Sequence, residues 1–217
     1  PQKKENRLLT LYANYNKLVE SIKSSFDVTA GYDYQYWKAT TPLYYKMNTL
    51  GEIQKTSKAK DERHVLLSYY GRLNYSFDSR YMLTTTIRRD ATSRFAKNVR
   101  WGTFPSVALG WRVTEESFPK DNKVLSNLKI RASYGVTGQQ DGIGNYNYLP
   151  IYTQSQNGAE GIMGNEYIHT YRPSSYVPDL KWETTTSWNI GFDFGFLKDR
   201  ITGSFDYYTR QTKDLIA

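Results

Sequence analysis

The chain has 217 residues, a formal net charge of +8, 39% hydrophobic and 16% aromatic residues including 20 tyrosines, and no cysteine. Its aromatic content excludes disorder, and the missing thiols exclude a disulfide scaffold, a Cys-based zinc site and a thiol nucleophile. A mean hydropathy of -0.69, with no apolar stretch of helix-spanning length, excludes a transmembrane helix but not a β-barrel, whose strands need apolar residues only at alternate positions.

Period-two alternation begins early. Leu9, Leu11, Ala13 and Tyr15 alternate with Thr10, Tyr12, Asn14 and Asn16. From 26 to 37, Phe26, Val28, Ala30, Tyr32, Tyr34 and Tyr36 share one parity, and Asp27, Thr29, Gly31, Asp33 and Gln35 share the other. A helix would scatter these aspartates and tyrosines around its circumference, so the segment is extended. The pattern returns around Val65, Leu67 and Tyr69 through Phe77, from Tyr81 to Asp90, from Ser106 to Val113 and from Leu128 to Val136. It returns again with Trp188, Ile190, Phe192, Phe194 and Phe196, and finally with Ile201, Gly203, Phe205 and Tyr207. Eight strands are predicted.

The connections at 19–24, 78–80, 115–127 and 197–200 alternate with long excursions at 38–62, 91–102 and 137–182. Antiparallel strands place successive connections on opposite sides, so all the long ones share one end. This is the arrangement of an outer-membrane barrel, with short periplasmic turns and long extracellular loops. Residues 146–153 are strand-like, but one extra strand there would invert the closing hairpin, so they are assigned to the loop unless paired within it. Phe77, Tyr81, Phe194 and Phe196 flank the tight turns, and Tyr34 and Tyr36 close a strand opposite, as interfacial girdles would. A soluble β-sandwich predicts the same alternation without a fixed side for long loops.

Several strings carry a resemblance. Tyr70-Gly71-Arg72-Leu73-Asn74-Tyr75, Arg88-Arg89-Asp90-Ala91-Thr92-Ser93-Arg94-Phe95 and Arg100-Trp101-Gly102-Thr103-Phe104-Pro105-Ser106 resemble the barrel of SusC/RagA-type TonB-dependent outer-membrane transporters. So do residues 128–139, Leu180-Lys181-Trp182-Glu183-Thr184-Thr185 and 189–215, including Asp206-Tyr207-Tyr208. Ala91 departs from the family pattern, which usually has glycine there.

The resemblance implies import of oligosaccharides or peptides across the outer membrane of a Gram-negative, Bacteroidota-type bacterium. It also implies a SusD-like surface lipoprotein as lid, coupling to the TonB complex through a plug segment, and contact with outer-membrane lipid and lipopolysaccharide. Such barrels have about 22 strands. Residues 1–217 are therefore expected to form part of one all-β, antiparallel transmembrane barrel domain, eight strands of wall without plug, TonB box or the remaining strands. The first five residues carry no apolar signal-peptide core, which suits a processed chain or a fragment. A non-transporting outer-membrane barrel acting as adhesin or anchor is the alternative, and a soluble carbohydrate-binding β-sandwich the next.

Catalytic chemistry finds little footing. His64, Ser68 and Asp90 could be nominated as a hydrolytic set, but no Gly-x-Ser-x-Gly elbow accompanies them. The two histidines, His64 and His169, lack neighbouring metal ligands. Gly158, Gly161 and Gly164 precede no helix and form no phosphate cradle. Asp141-Gly142-Ile143-Gly144-Asn145 misses the spacing of a calcium loop. Tyrosine and arginine lie on opposite parities, which disfavours a nucleic-acid groove. No enzyme, cofactor, metal or nucleic-acid partner is expected.

For transport, Arg88 and Asp90 fall on the wet parity and are expected to face the lumen as paired structural charges. Tyr32, Leu67, Ile190 and Phe192 are expected to face lipid. Gln139, Gln140, Asp141, Asn145, Tyr146, Tyr148, Tyr152 and Tyr171 combine amides and aromatic rings that suit sugar or peptide groups, and they are the candidate substrate contacts.

Overall fold

The computed structural model describes residues 2–116, 124–154, 160–174 and 176–216. In chain order the first strands are β1 (Lys3–Val19), β2 (Ser24–Thr41), β3 (Tyr44–Met47), β4 (Ile53–Ser57), β5 (Lys60–Phe77), β6 (Tyr81–Thr92) and β7 (Trp101–Arg112). Then follow β8 (Leu125–Gln139), β9 (Tyr152–Gln154), β10 (Glu160–Met163), β11 (Glu166–His169), β12 (Tyr171–Pro173), β13 (Glu183–Phe196) and β14 (Ile201–Lys213). One antiparallel eight-stranded sheet runs β1-β2-β5-β6-β7-β8-β13-β14. These are the eight predicted strands in sequence order, each beside its predecessor. Among the described residues the sheet does not close, and no second sheet of that size packs on it as a sandwich would require.

Register shows why the alternation holds. One lateral row reads Lys17, Phe26, Tyr75, Leu83, Leu109, Ala132, Ile190 and Tyr207. One position along, the row reads Asn16, Asp27, Asn74, Thr84, Ala108, Ser133, Asn189 and Tyr208. Because side chains alternate across a strand, the sheet has one apolar and one polar face, in phase over all eight strands. Tyr32, Leu67, Ile190 and Phe192 all lie on the apolar face, and none is buried.

The short links gather at one end and hold one another. In the three-residue link 78–80, Asp78 and Ser79 both have positive φ, as the central positions of a type I′ turn require, and Arg80 N–H donates to the Phe77 carbonyl at 2.9 Å. Asp78 N–H donates to Lys23 O at 2.7 Å, Arg112 N–H to Arg80 O at 2.8 Å, and Leu197 N–H to Val124 O at 2.8 Å. Leu197, Lys198 and Asp199 are three successive left-handed residues, and Ser126 Oγ accepts from the amides of the last two at 2.7 and 3.2 Å. That hydroxyl satisfies donors the turn leaves unpaired.

Glu116 clamps two of these links. It accepts from Tyr81 Oη at 2.5 Å and Trp111 Nε1 at 3.1 Å, and pairs with Arg80 at 3.3 Å. The Tyr81 hydrogen bond first, then Trp111 and Arg80, hold its carboxyl below the ordinary glutamate value. A depressed folded value means the clamp contributes fully above the unfolded glutamate value and is lost as pH falls through the folded one. The full-length protein should therefore lose stability on the acid side, and Glu116→Gln should flatten that limb of a pH-unfolding profile. An unchanged acid limb would show that other carboxylates set it. Residues 117–123 of the predicted 115–127 link lie outside the described residues.

At the opposite end the structure changes three expectations. Strand β2 runs on past Tyr36 to Thr41, so Tyr34 and Tyr36 do not close it. The 91–102 excursion shortens to 93–100, because Ala91 and Thr92 still pair in β6 with Leu67 and Leu66. The long loops also contain strands: β3 pairs with β4, β9 with β12 and β10 with β11. Residue 152, assigned to loop from sequence, starts β9. Among its described residues the 140–182 connection holds four short strands, and an even number preserves the direction of β13.

The core sits at this end. Strands β7 and β8 pair only from Ser106↔Gly135 to Arg112↔Lys129, so their outer portions diverge. Phe104 and Trp182 occupy the fork with Phe95, all nearly buried, the rings of Phe95 and Phe104 meeting Trp182 edge-on at 5.5 and 5.3 Å. Trp182 Nε1 donates to Arg100 O at 2.9 Å. Gly138 is required here, since a Cβ on it would lie 2.1 Å from the Phe104 ring.

Candidate functional site

Arginines organise the polar face. Arg88 stands beside Tyr70 on β5 and Phe104 on β7. Its guanidinium donates to Asp90 at 3.0 Å and Ser68 Oγ at 2.8 Å, lies 3.6 Å from Asp33, and sits 5.7 Å from the Tyr70 ring centre. Ser68 and Asp90 are buried by this arrangement. Arg131 makes a fork to Asp193 at 2.9 and 3.0 Å and reaches Asp206 at 3.1 Å. Gly191 lies between them in register, and a Cβ there would come within 2.4 Å of the Asp206 carboxylate, so glycine opens the path across β13. Each guanidinium faces two carboxylates, which compensates charge on the wall without leaving a bare ion.

A third arginine assembles the loop end. Ser93 ties its connection to β5, its N–H donating to Val65 O at 3.0 Å and its Oγ accepting from Val65 N–H at 2.9 Å. Buried Phe95 anchors the same segment. Arg94 is thereby directed at the long connection: it donates to Asn145 Oδ1 at 3.1 Å, Gln140 O at 3.2 Å and Asp141 Oδ1 at 3.3 Å. Its remaining terminal nitrogen lies 3.5 Å from His64 Nε2. His64 stacks on Trp37 across the β2–β5 ladder, with centroids 4.4 Å apart and planes at 16°. Beside these groups is a cavity of about 470 Å³, lined by Trp37, Lys38, Glu62, His64, Arg94, Asn145 and the β1 residues Lys4, Glu5 and Asn6.

The eight candidate substrate contacts separate. Gln140, Asp141 and Asn145 meet at Arg94, and Asn145 alone of the eight lines the cavity. Gln139 ends β8 opposite Glu183. Tyr146 and Tyr148 are half-buried in the connection, whereas Tyr152 and Tyr171 stand exposed on the β9–β12 pair. The apparent cation loop at 141–145 thus receives a guanidinium from within the chain. Ser68 engages Arg88 and His64 stacks on Trp37, so the nominated hydrolytic set is not assembled. Gly161 lies in β10 and Gly164 in its turn, with φ of 66°; Gly158 lies outside the described residues.

Sequence reasoning missed Trp37 and Arg94 and left His64 without a role. Extending the alternation beyond Tyr36 puts Trp37 on the polar parity, and that signal was available. Arg94 had no such signal, because its direction comes from the buried anchor next to it.

A family model described as TonB dependent receptor-like, beta-barrel matches residues 3–217. The TonB-dependent receptor SusC of Bacteroides thetaiotaomicron is 43% identical over 94% of this chain and 21% of its own length. The TonB-dependent receptor P3 of Formosa agariphila is 31% identical over 97% of this chain and 22% of its own. The chain thus spans about a fifth of these curated relatives. Among solved structures, the RagAB peptide transporter superposes with a TM-score of 0.79 at 24% identity, covering 99% of this chain and 24% of that one. The siderophore receptor PirA from Acinetobacter baumannii gives 0.62 at 15% identity, covering 99% and 28%. These last two likenesses concern the fold.

Proposed function

Because the chain belongs to the TonB dependent receptor-like, beta-barrel family, we propose that it is a stretch of wall and outer loops of a SusC-like importer in a Bacteroidota-type outer membrane. The apolar face meets lipid and the polar face lines the lumen. The short links lie on the periplasmic side and the long connections outside. Cargo is an oligosaccharide or a peptide, taken up with a SusD-like lipoprotein lid and released inward by TonB through a plug supplied elsewhere in the whole protein.

One observation supports this reading above the rest. Trp101 and Trp111 lie on the same apolar face, ten positions apart in β7. At about 3.4 Å per residue and a tilt of about 40°, they are separated by about 26 Å along the barrel axis. Outer-membrane barrels carry an apolar band about 25 Å tall between aromatic girdles. Each tryptophan belongs to a stacked row: Trp111 with Tyr81 and Phe77 at the short-link end, and Trp101 with Tyr69 at the other. The Arg89 guanidinium lies 5.1 Å from the Trp101 ring centre, where a cation would meet lipid headgroups or lipopolysaccharide.

Within this frame the paired charges of Arg88 with Asp90 and Arg131 with Asp193 brace the lumen side, and the loops around Arg94 meet cargo. The test uses the complete natural protein in a strain lacking its gene. Uptake of labelled oligosaccharide or peptide pools should depend on the protein, on TonB and on the inner-membrane proton gradient. Surface-exposed protein that supports no uptake would leave an adhesin or anchor instead.

A further inference from the structure

We propose that the cavity beside Trp37, His64 and Arg94 is a cargo subsite for an uncharged, hydroxyl-rich ring, one residue of a neutral oligosaccharide. The proposal rests on the reading that cargo passes along the polar face, and it adds a place and a chemistry to it.

The position is favourable, because the cavity opens on the polar face at the end where the long connections meet. Trp37 and His64 are held ring to ring, so an aromatic wall is prepared without a ligand. A volume of about 470 Å³ falls within the usual span of small-molecule sites, about 300–1,000 Å³.

The charges around the cavity decide the ligand class. Glu5 pairs with Arg7, Lys38 with Asp61, Glu62 with Lys60 and Arg94 with Asp141. Among the described lining residues only Lys4 has no ion pair, and it is exposed. A cationic group entering here would lose hydration without gaining a free counter-charge, and a carboxylate would find only Lys4, whose ammonium is already solvated. A neutral ring with many hydroxyls needs none. It meets instead the amide of Asn6 and that of Asn145, whose carbonyl oxygen is fixed by Arg94 and whose N–H₂ is thereby turned away from the guanidinium. Arg94 acts as a positioning residue, setting Asn145 rather than reaching for cargo.

The experiment uses the full-length protein in detergent and measures binding of neutral oligosaccharide pools released from plant, fungal and mucin glycans, with an uncharged and a charged peptide library in parallel. A neutral glycan pool should bind, and Trp37→Ala should weaken it by about tenfold, with Trp37→Phe recovering most of the loss. Asn145→Ala, which removes one Arg94 hydrogen bond but leaves those to Gln140 and Asp141, should weaken the same pool. Unchanged glycan affinity in both alanine variants overturns the subsite, as does a wild type that binds no glycan pool. Peptide binding lost in Trp37→Ala overturns the ligand class. TonB-dependent uptake that survives in both alanine variants with unaltered affinity removes the subsite and leaves the importer standing. Glycan binding at Trp37 without coupled uptake does the reverse.

Discussion

Trp182→Ala should cost the full-length protein about 3–5 kcal/mol of unfolding free energy, the range for emptying a buried tryptophan position. Trp182 is 7% exposed and does more than fill space. The fork between β7 and β8 has no ladder to hold its two sides, because their pairing stops at Ser106 and Gly135. The indole closes it from the end of the long connection, meeting Phe95 from one loop and Phe104 from the wall, and donating to the Arg100 carbonyl. Trp182→Phe should cost less, about 0.5–1.5 kcal/mol for the lost hydrogen bond, because it keeps an edge-on ring and the Arg100 carbonyl still accepts from Thr92 N–H at 3.2 Å. Gly138→Ala gives an independent check, since its Cβ would collide with the Phe104 ring and push it from the fork. Denaturant unfolding followed by fluorescence measures all three. A Trp182→Ala loss no larger than that of an exposed residue would mean the strands hold the fork by other contacts.

How much of this could be read beforehand differs by element. The eight long strands were legible because each exposes its faces to two environments, and a period of two survives over ten or more residues, as in Phe26 through Tyr36. The short hairpins were not. β9 and β12 contribute three residues each, too few for a period, and they exist only because Tyr152 meets Pro173 and Tyr171 meets Gln154. Phe104 was obscured for a different reason: its parity is that of Arg88, so alternation alone assigns it to the wet side, and only the divergence of β7 from β8 gives it a dry place. The candidate loop residues were chosen by type, and of the eight only Asn145 lines the cavity. That Gln140, Asp141 and Asn145 gather at Arg94 depends on where Phe95 is buried, a tertiary fact with no local trace.

The apolar face can be tested by one substitution on each side of a single strand. Ile190 and Asn189 are neighbours in β13, yet Ile190 stands between Ala132 and Tyr207 and Asn189 between Ser133 and Tyr208. Ile190→Arg places a cation on the face proposed to meet hydrocarbon, at a cost of about 2–4 kcal/mol near the bilayer midplane. Phe192→Arg should behave alike, with the added loss of the Phe205 ring stacked 5.5 Å away. Asn189→Arg points instead toward the polar side, where Arg131 is already neutralised by Asp193 and Asp206, and should be tolerated with normal assembly. The readout is heat-modifiable folded protein in the outer membrane of cells making the complete chain. Equal damage at Ile190 and Asn189 would contradict the assignment of faces, because a one-residue step along a strand reverses every solvent its side chains meet.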